Sequence, residues 1–156
     1  MRSIEISIML PTKVNLLNLK EKIIEKLHAM NLYLDELSEL VPEEEEDYGR
    51  LQIRRACEKT IELAIEQVID IISLIVSYRK IGIPHSEDDL ITLLQKKKVL
   101  STTLAMKIKE MKGFRNILVH KYGEIDYQQA YHFLTTELDD FTLFEKEIKK
   151  FLKSLR

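Results

Sequence analysis

Arg115, Asn116, His120 and Tyr122 fall within eight positions, in the string Phe114-Arg115-Asn116-Ile117-Leu118-Val119-His120-Lys121-Tyr122. Histidine takes or gives a proton near neutral pH. Arginine offers phosphate oxygens a fixed fork of donors, and those bonds strengthen as charge builds in a transition state. RNA carries its own nucleophile, the 2′-hydroxyl, so a His and Arg pair suits phosphodiester cleavage without a metal. On a helix with Arg115 at zero, Tyr122 falls about 20° to one side, and Asn116 and His120 about 100° and 140° to the other. Phe114, Ile117 and Leu118 are then expected to pack into the body of the protein while the polar four face away. The residues alone leave open a plain alternative, an ordinary surface or capped pair on a helix face.

The surrounding charge supports a polyanion site. Lys96, Lys97, Lys98, Lys107, Lys109, Lys112, Arg115 and Lys121 stand against Glu110 alone. Eight cations and one carboxylate make +7, in a chain whose total is −2. A basic segment on an otherwise acidic chain points to a local polyanion partner, with a solvated face as the alternative. A second pattern is acidic: Glu58, Glu62, Glu66 and Asp70 stand four apart. Like charges at that spacing repel on a helix, so each needs solvent or a cation nearby. The column reads equally as an exposed stripe or as an acidic wall facing a cleft. His28, His85 and His132 read as ordinary. The single cysteine, Cys57, excludes a disulfide framework and multi-cysteine metal sites, reads as core, and fits a reducing, cytoplasmic compartment.

The elements that must position these groups read as helices. The 156 residues are 45% hydrophobic and 32% charged, which fits one globular domain. Four glycines and three prolines are too few for the many turns of a β-sandwich. No secretory signal pattern and no run of eighteen apolar residues is present, so no membrane partner is expected. Residues 1–11, with Ile4, Ile6 and Ile8 alternating, read as a short strand or loose arm. Residues 12–156 form the folded domain. Thr12 is expected to open a first helix, with a stripe Leu16, Leu19, Ile23, Leu27, Met30, Leu34, Leu37 and Val41, ended by Pro42. A second helix is expected from about Tyr48 to Tyr78, apolar almost all round, which hints at a dimer. After a loop holding Gly82 and Pro84, Ser86 caps a short helix ending in Lys96-Lys97-Lys98. Ser101 or Thr102 caps a fourth helix that runs to about Tyr122 and stops at Gly123. Asp126 caps one last helix, whose stripe runs from Tyr127 and Tyr131 to Phe151 and Leu155. The expected architecture is all-α, an antiparallel four-helix bundle plus a short extra helix.

Arg115, four residues, His120, one residue and Tyr122 make an R-x4-H-x-Y pattern, set in Met111-Lys112-Gly113-Phe114-Arg115 through to Gly123. Arg55-Ala56 ahead of Glu58, Glu66 and Asp70, Pro84 before the short helix, and Glu137-Leu138-Asp139-Asp140-Phe141 complete the set. Over about residues 12–150 the chain resembles the HepT-like toxins of the HEPN superfamily of helical ribonucleases. The resemblance implies a HEPN-like dimeric bundle and a metal-independent endoribonuclease with no cofactor. Arg115 and His120 would be catalytic, two copies meeting in one composite cleft and leaving a 2′,3′-cyclic phosphate. Asn116, Tyr122, Lys112, Lys121, Asp70 and Glu66 would contact RNA or support the site. It also implies a type VII-like toxin–antitoxin system in which an MntA-like nucleotidyltransferase antitoxin adds AMP to Tyr122. A second reading is a non-catalytic helical module that binds a nucleotidyltransferase and helps present nucleotide or substrate. Intact Arg115 and His120 favour the first; the net acidity slightly favours the second.

Overall fold

The computed structural model describes residues 13–120 and 126–155. The expected arm at residues 1–11, the Thr12 cap, Lys121, Tyr122 and Gly123 lie outside the described residues, as does the His120 side chain. The described chain folds as α1 Lys13–Leu40, α2 Glu45–Tyr48, α3 Leu51–Arg79, α4 Glu87–Lys96, α5 Thr102–His120, α6 Tyr127–Thr136 and α7 Asp139–Ser154. Four of these are long and form an antiparallel bundle, and all regular structure among the described residues is helical.

On α1 the apolar stripe is buried as its spacing requires, through Leu19, Ile23, Leu27, Met30 and Leu37. It packs along α3, which also touches α4 and α5, while α5 touches α7. α3 is the centre of the fold. Ile61, Ile65, Val68, Ile71, Ile72, Ile75 and Val76 are all essentially inaccessible. β-Branched residues are indifferent helix formers, so α3 is held by burial more than by propensity.

Two helix boundaries differ from the sequence reading. The acidic run forms a separate turn, α2, and α3 begins only at Leu51, after Gly49 and Arg50. Tyr48 ends that turn fully buried, its ring 5.5 Å from that of Tyr131. The Tyr131 hydroxyl lies 2.7 and 2.8 Å from the carbonyl oxygens of Pro42 and Glu43, and so satisfies the preceding bend. The last stretch is two helices, broken at Glu137 and Leu138. Thr135 and Thr136 donate their hydroxyls back to the Tyr131 and His132 carbonyls at 2.9 and 2.6 Å. Such back-bonding bends helices, and Asp139 and Asp140 suit the fresh N-terminus that follows. Tyr127, expected on the buried stripe, is exposed.

The caps position the site. Ser86 Oγ accepts the Asp89 N–H at 3.1 Å, and Asp89 Oδ2 accepts the His85 N–H at 2.9 Å. Ser101 caps α5 by accepting the Leu104 N–H at 3.1 Å. Its own N–H and hydroxyl both donate to the Glu147 carboxylate at 2.7 Å, which ties the start of α5 to α7. Cys57 is fully buried, and burial pushes its thiol up to about 11, so it is an inert core residue.

Glu58 is the costly residue of the acidic column. Its side chain is only 19% exposed, Arg54 Nε stands 3.8 Å away, and Oε1 has no hydrogen-bond partner among the described residues. Burial raises the carboxyl, against the opposing pull of Arg54 and Arg55. A raised folded-state pKa means the native chain holds the proton more tightly than the unfolded chain. Ionised Glu58 therefore destabilises the fold above that pKa, and the penalty disappears as pH falls through it. Glu58→Gln is expected to raise Tm at about pH 7.5, with the gain shrinking towards about pH 4.5, near the ordinary carboxylate range. A lower Tm at the higher pH would show that the Arg54 pair outweighs burial.

Candidate functional site

Along α5 the buried stripe runs Leu104, Ile108, Met111, all essentially inaccessible. Its steps are four and three, and the next step of four lands on Arg115. The Arg115 side chain is accordingly only 13% exposed. It continues the inward face of α5 and does not point away from the body, which corrects the expectation from the wedge of polar residues. Phe114 and Leu118 pack on the core as expected, Phe114 stacked on Phe133 at 4.2 Å. Ile117 was expected inside as well, yet it is 44% exposed.

The inward guanidinium meets two neighbours. Arg115 Nη2 donates to a Glu87 carboxylate oxygen and, at 3.0 Å, to Asn116 Oδ1. Guanidinium has five N–H donors. Both on Nη2 are engaged, and the three on Nη1 and Nε have no partner among the described residues. Glu87 lies in the first turn of α4, where the helix dipole favours its charge. The next residue does the same for the next cation: Lys112 Nζ bonds Asp88 Oδ1 at 2.8 Å. The acidic first turn of α4 thus clamps two cations of α5. Glu87 is a site residue that sequence reasoning missed. Its only visible role there was to start a helix, and the two partners are 28 residues apart.

The acidic column divides. Glu66 on α3 stands one turn beyond Glu62, which pairs with Lys59 at 3.4 Å. Burial first, then the Glu62 charge, raises its carboxyl, while Lys59 and Arg115 oppose. Glu66 is therefore within electrostatic reach of Arg115. Asp70 is not part of this group: its ion pair runs to Lys26 on α1 at 3.1 Å. So the column is neither a uniform exposed stripe nor one continuous wall. The basic segment divides too. Lys107 lies between Glu110 and Glu137 at 3.7 and 3.6 Å, and Lys112 and Arg115 are paired as above. Lys96, Lys97 and Lys98 sit at the opposite end of α4. The linear +7 does not fold into one patch.

Among the described residues no group of three or more His, Cys, Asp or Glu side chains is placed to hold a metal ion. None of the described helices is long and apolar enough to cross a membrane.

Fold and site together define an all-α bundle in which the clamp between α4 and α5, Glu87 to Arg115, presents a partly occupied guanidinium five residues before a histidine. The chain belongs to the ribonuclease HepT-like family, whose model matches residues 30–148. It is 34% identical over 99 residues to the mRNA nuclease HepT of Shewanella oneidensis, covering 64% of this chain and 68% of that protein. It is 29% identical over 140 residues to the tRNA nuclease HepT of Aphanizomenon flos-aquae, covering 88% of this chain and 95% of that one. A solved structure of the tri-AMPylated HEPN toxin of Shewanella oneidensis in complex with MNT antitoxin superposes with a TM-score of 0.78. That match is 26% identical and covers 83% of this chain and 97% of the other.

Proposed function

We propose that this chain is the toxin of a toxin–antitoxin pair, a cytoplasmic homodimeric endoribonuclease that cuts RNA without a metal. The observation that supports it most directly is the Arg115 guanidinium, anchored by Glu87 and Asn116 through one nitrogen with three donors left over. Those donors suit the non-bridging oxygens of a phosphodiester, whose charge grows in the transition state. His120 takes the 2′-hydroxyl proton as that oxygen attacks phosphorus. The 5′-oxygen leaves as it takes a proton from water, giving a 2′,3′-cyclic phosphate and a 5′-hydroxyl. Asn116 orients Arg115, and Glu66 adds a nearby carboxyl that keeps the guanidinium in place. Lys121 and Tyr122 contact the strand; Lys112 holds α4 against α5.

The dimer draws support from the outward face of α5. Met106 and Ile117 are 58% and 44% exposed there, and a Cβ on Gly113 would meet nothing within 4 Å. The helical register puts position 120 about 60° from Ile117 and about 140° from Arg115. A second copy seated on this face would complete a cleft that one copy leaves divided between its inner and outer sides.

The antitoxin in this reading is an MntA-like nucleotidyltransferase. It transfers AMP from ATP to the Tyr122 oxygen, a new oxygen–phosphorus bond forming as pyrophosphate leaves. The adduct adds bulk and negative charge that would compete with the substrate phosphate for the Arg115 donors. The test is cleavage of a mixed RNA pool in EDTA with product ends mapped, before and after incubation with that nucleotidyltransferase and ATP. Cyclic phosphate ends are expected before, and loss of cleavage with AMP-sized mass on Tyr122 after. No cleavage by a folded, unmodified dimer would favour the non-catalytic binding module; adducts confined to other residues would refute the role of Tyr122.

A further inference from the structure

Lys96, Lys97 and Lys98, at the far end of α4 from the Arg115 site, line something else. An open groove of about 960 Å³ lies where the end of α4, the start of α5 and α7 meet. Its walls carry Arg79, Lys96, Lys97, Lys98, Lys146 and Lys150, all exposed. The one carboxylate on the wall, Glu147, is already taken by the Ser101 N–H and hydroxyl. None of the five lysines has an ion-pair partner among the described residues, and Arg79 lies over the Phe151 ring at 5.5 Å. Six cations face one committed carboxylate, on a chain of net −2. By contrast Lys107, Lys112 and Arg115, from the same basic stretch, are all paired. Unpaired cations held at close quarters repel one another and are relieved by an external anion.

The shape selects among anions. The cations come from three elements along an open trough, and all but one are lysines, point charges without a planar fork. Such a lining fits a run of phosphates and reads no base edge. The groove begins at Ser101, and α5 then carries the chain about 21 Å along its axis to Arg115. We propose that this groove is a second contact site for RNA, a docking track that holds the sugar–phosphate backbone of the strand remote from the cut. The inference rests on the reading of RNA as substrate, and extends it from one scissile phosphate to a longer footprint.

The test is binding of a single-stranded RNA of about 30 nucleotides, long enough for several phosphate contacts, by the full-length dimer. His120→Ala is included so that the strand survives. Lys97→Gln, Lys146→Gln and Lys150→Gln together are compared with a charge-matched set on other surfaces, Lys22→Gln, Lys109→Gln and Lys153→Gln. Each single-strand phosphate contact contributes about 0.7 to the slope of log affinity against log salt. The groove set is expected to lower that slope by about 2 and to weaken binding roughly 10–100-fold at low salt, while the control set changes the slope little. With His120 restored, the groove set should raise KM for long RNA far more than it changes kcat. Equal slopes for the two sets would overturn the proposal. Equal slopes with loss of an acidic protein partner from the groove set would assign the trough to that protein instead. Wild-type protein that binds RNA through the groove but cuts none would sink the ribonuclease reading and leave the docking track standing. Cleavage with unaltered KM and slope in the groove set would do the reverse.

Discussion

Arg115→Lys is expected to lower single-turnover RNA cleavage by about 10²–10³-fold, the usual scale for losing an oriented donor to a developing oxyanion. The substitution keeps the charge and most of the aliphatic stem, so the Glu87 ion pair can persist and Tm should move by only a few degrees. What it removes is the fork. Arg115 spends Nη2 on Glu87 and Asn116 and keeps three donors on its other nitrogens. Lysine has three donors on a single atom, so holding Glu87 and Asn116 consumes what a phosphate would need. Arg115→Ala should cost at least as much activity, and some stability besides. It empties a side chain that continues the buried stripe of α5 and leaves Glu87 without its cation. The pair of variants separates the roles: if Lys retained wild-type rates, charge alone would suffice and the anchored-fork argument would fail. The readout is the cleavage rate at saturating RNA, alongside a thermal melt.

His120→Ala is expected to abolish toxicity and to reduce cleavage by about 10²–10⁴-fold, the range for removing a positioned general acid or base. The pH profile is the sharper measure. Wild-type cleavage should rise as the imidazole loses its proton and level off above that range, the profile of a single general base. The variant's residual rate should lose that feature and follow hydroxide alone. The Arg115→Lys, His120→Ala double variant should be little slower than the slower single, because groups that act on one transition state are strongly non-additive. A His120→Ala protein that cleaves at the wild-type rate with an unaltered pH profile would remove this residue from the mechanism.

Much of the fold was legible because helix stripes are local. The α1 stripe, the Ser86, Ser101 and Asp126 caps, and the loop around Pro84 all follow from spacing and short-range chemistry. The break between α6 and α7 was not legible, because the apolar stripe runs through it in register. Only the paired threonines at 135 and 136 marked it, and their back-bonds are visible only in the folded chain. At the site, residue types were legible and directions were not. Polar side chains were expected to face out, but the spacing of Leu104, Ile108 and Met111 already pointed at Arg115, had the stripe been extended one more step. The ion pairs from α4 had no such signal. Glu87 and Asp88 reach residues 28 and 24 positions away, and nothing in the local sequence encodes that. The same long-range pairing decided which cations of the basic stretch were neutralised and which were left open.

The composition of α3 carries a further consequence. From Ile71 to Tyr78 its sequence, Ile-Ile-Ser-Leu-Ile-Val-Ser-Tyr, holds no charge, no glycine and no proline. Outside its helix that octamer has the makings of a self-associating strand, and would seed cross-β assemblies. The order of synthesis guards against this. α1, the helix that lies along α3 in the finished bundle, leaves the ribosome first and is joined to it by a short connection. Each newly made chain therefore brings its own chaperone ahead of the segment that needs one.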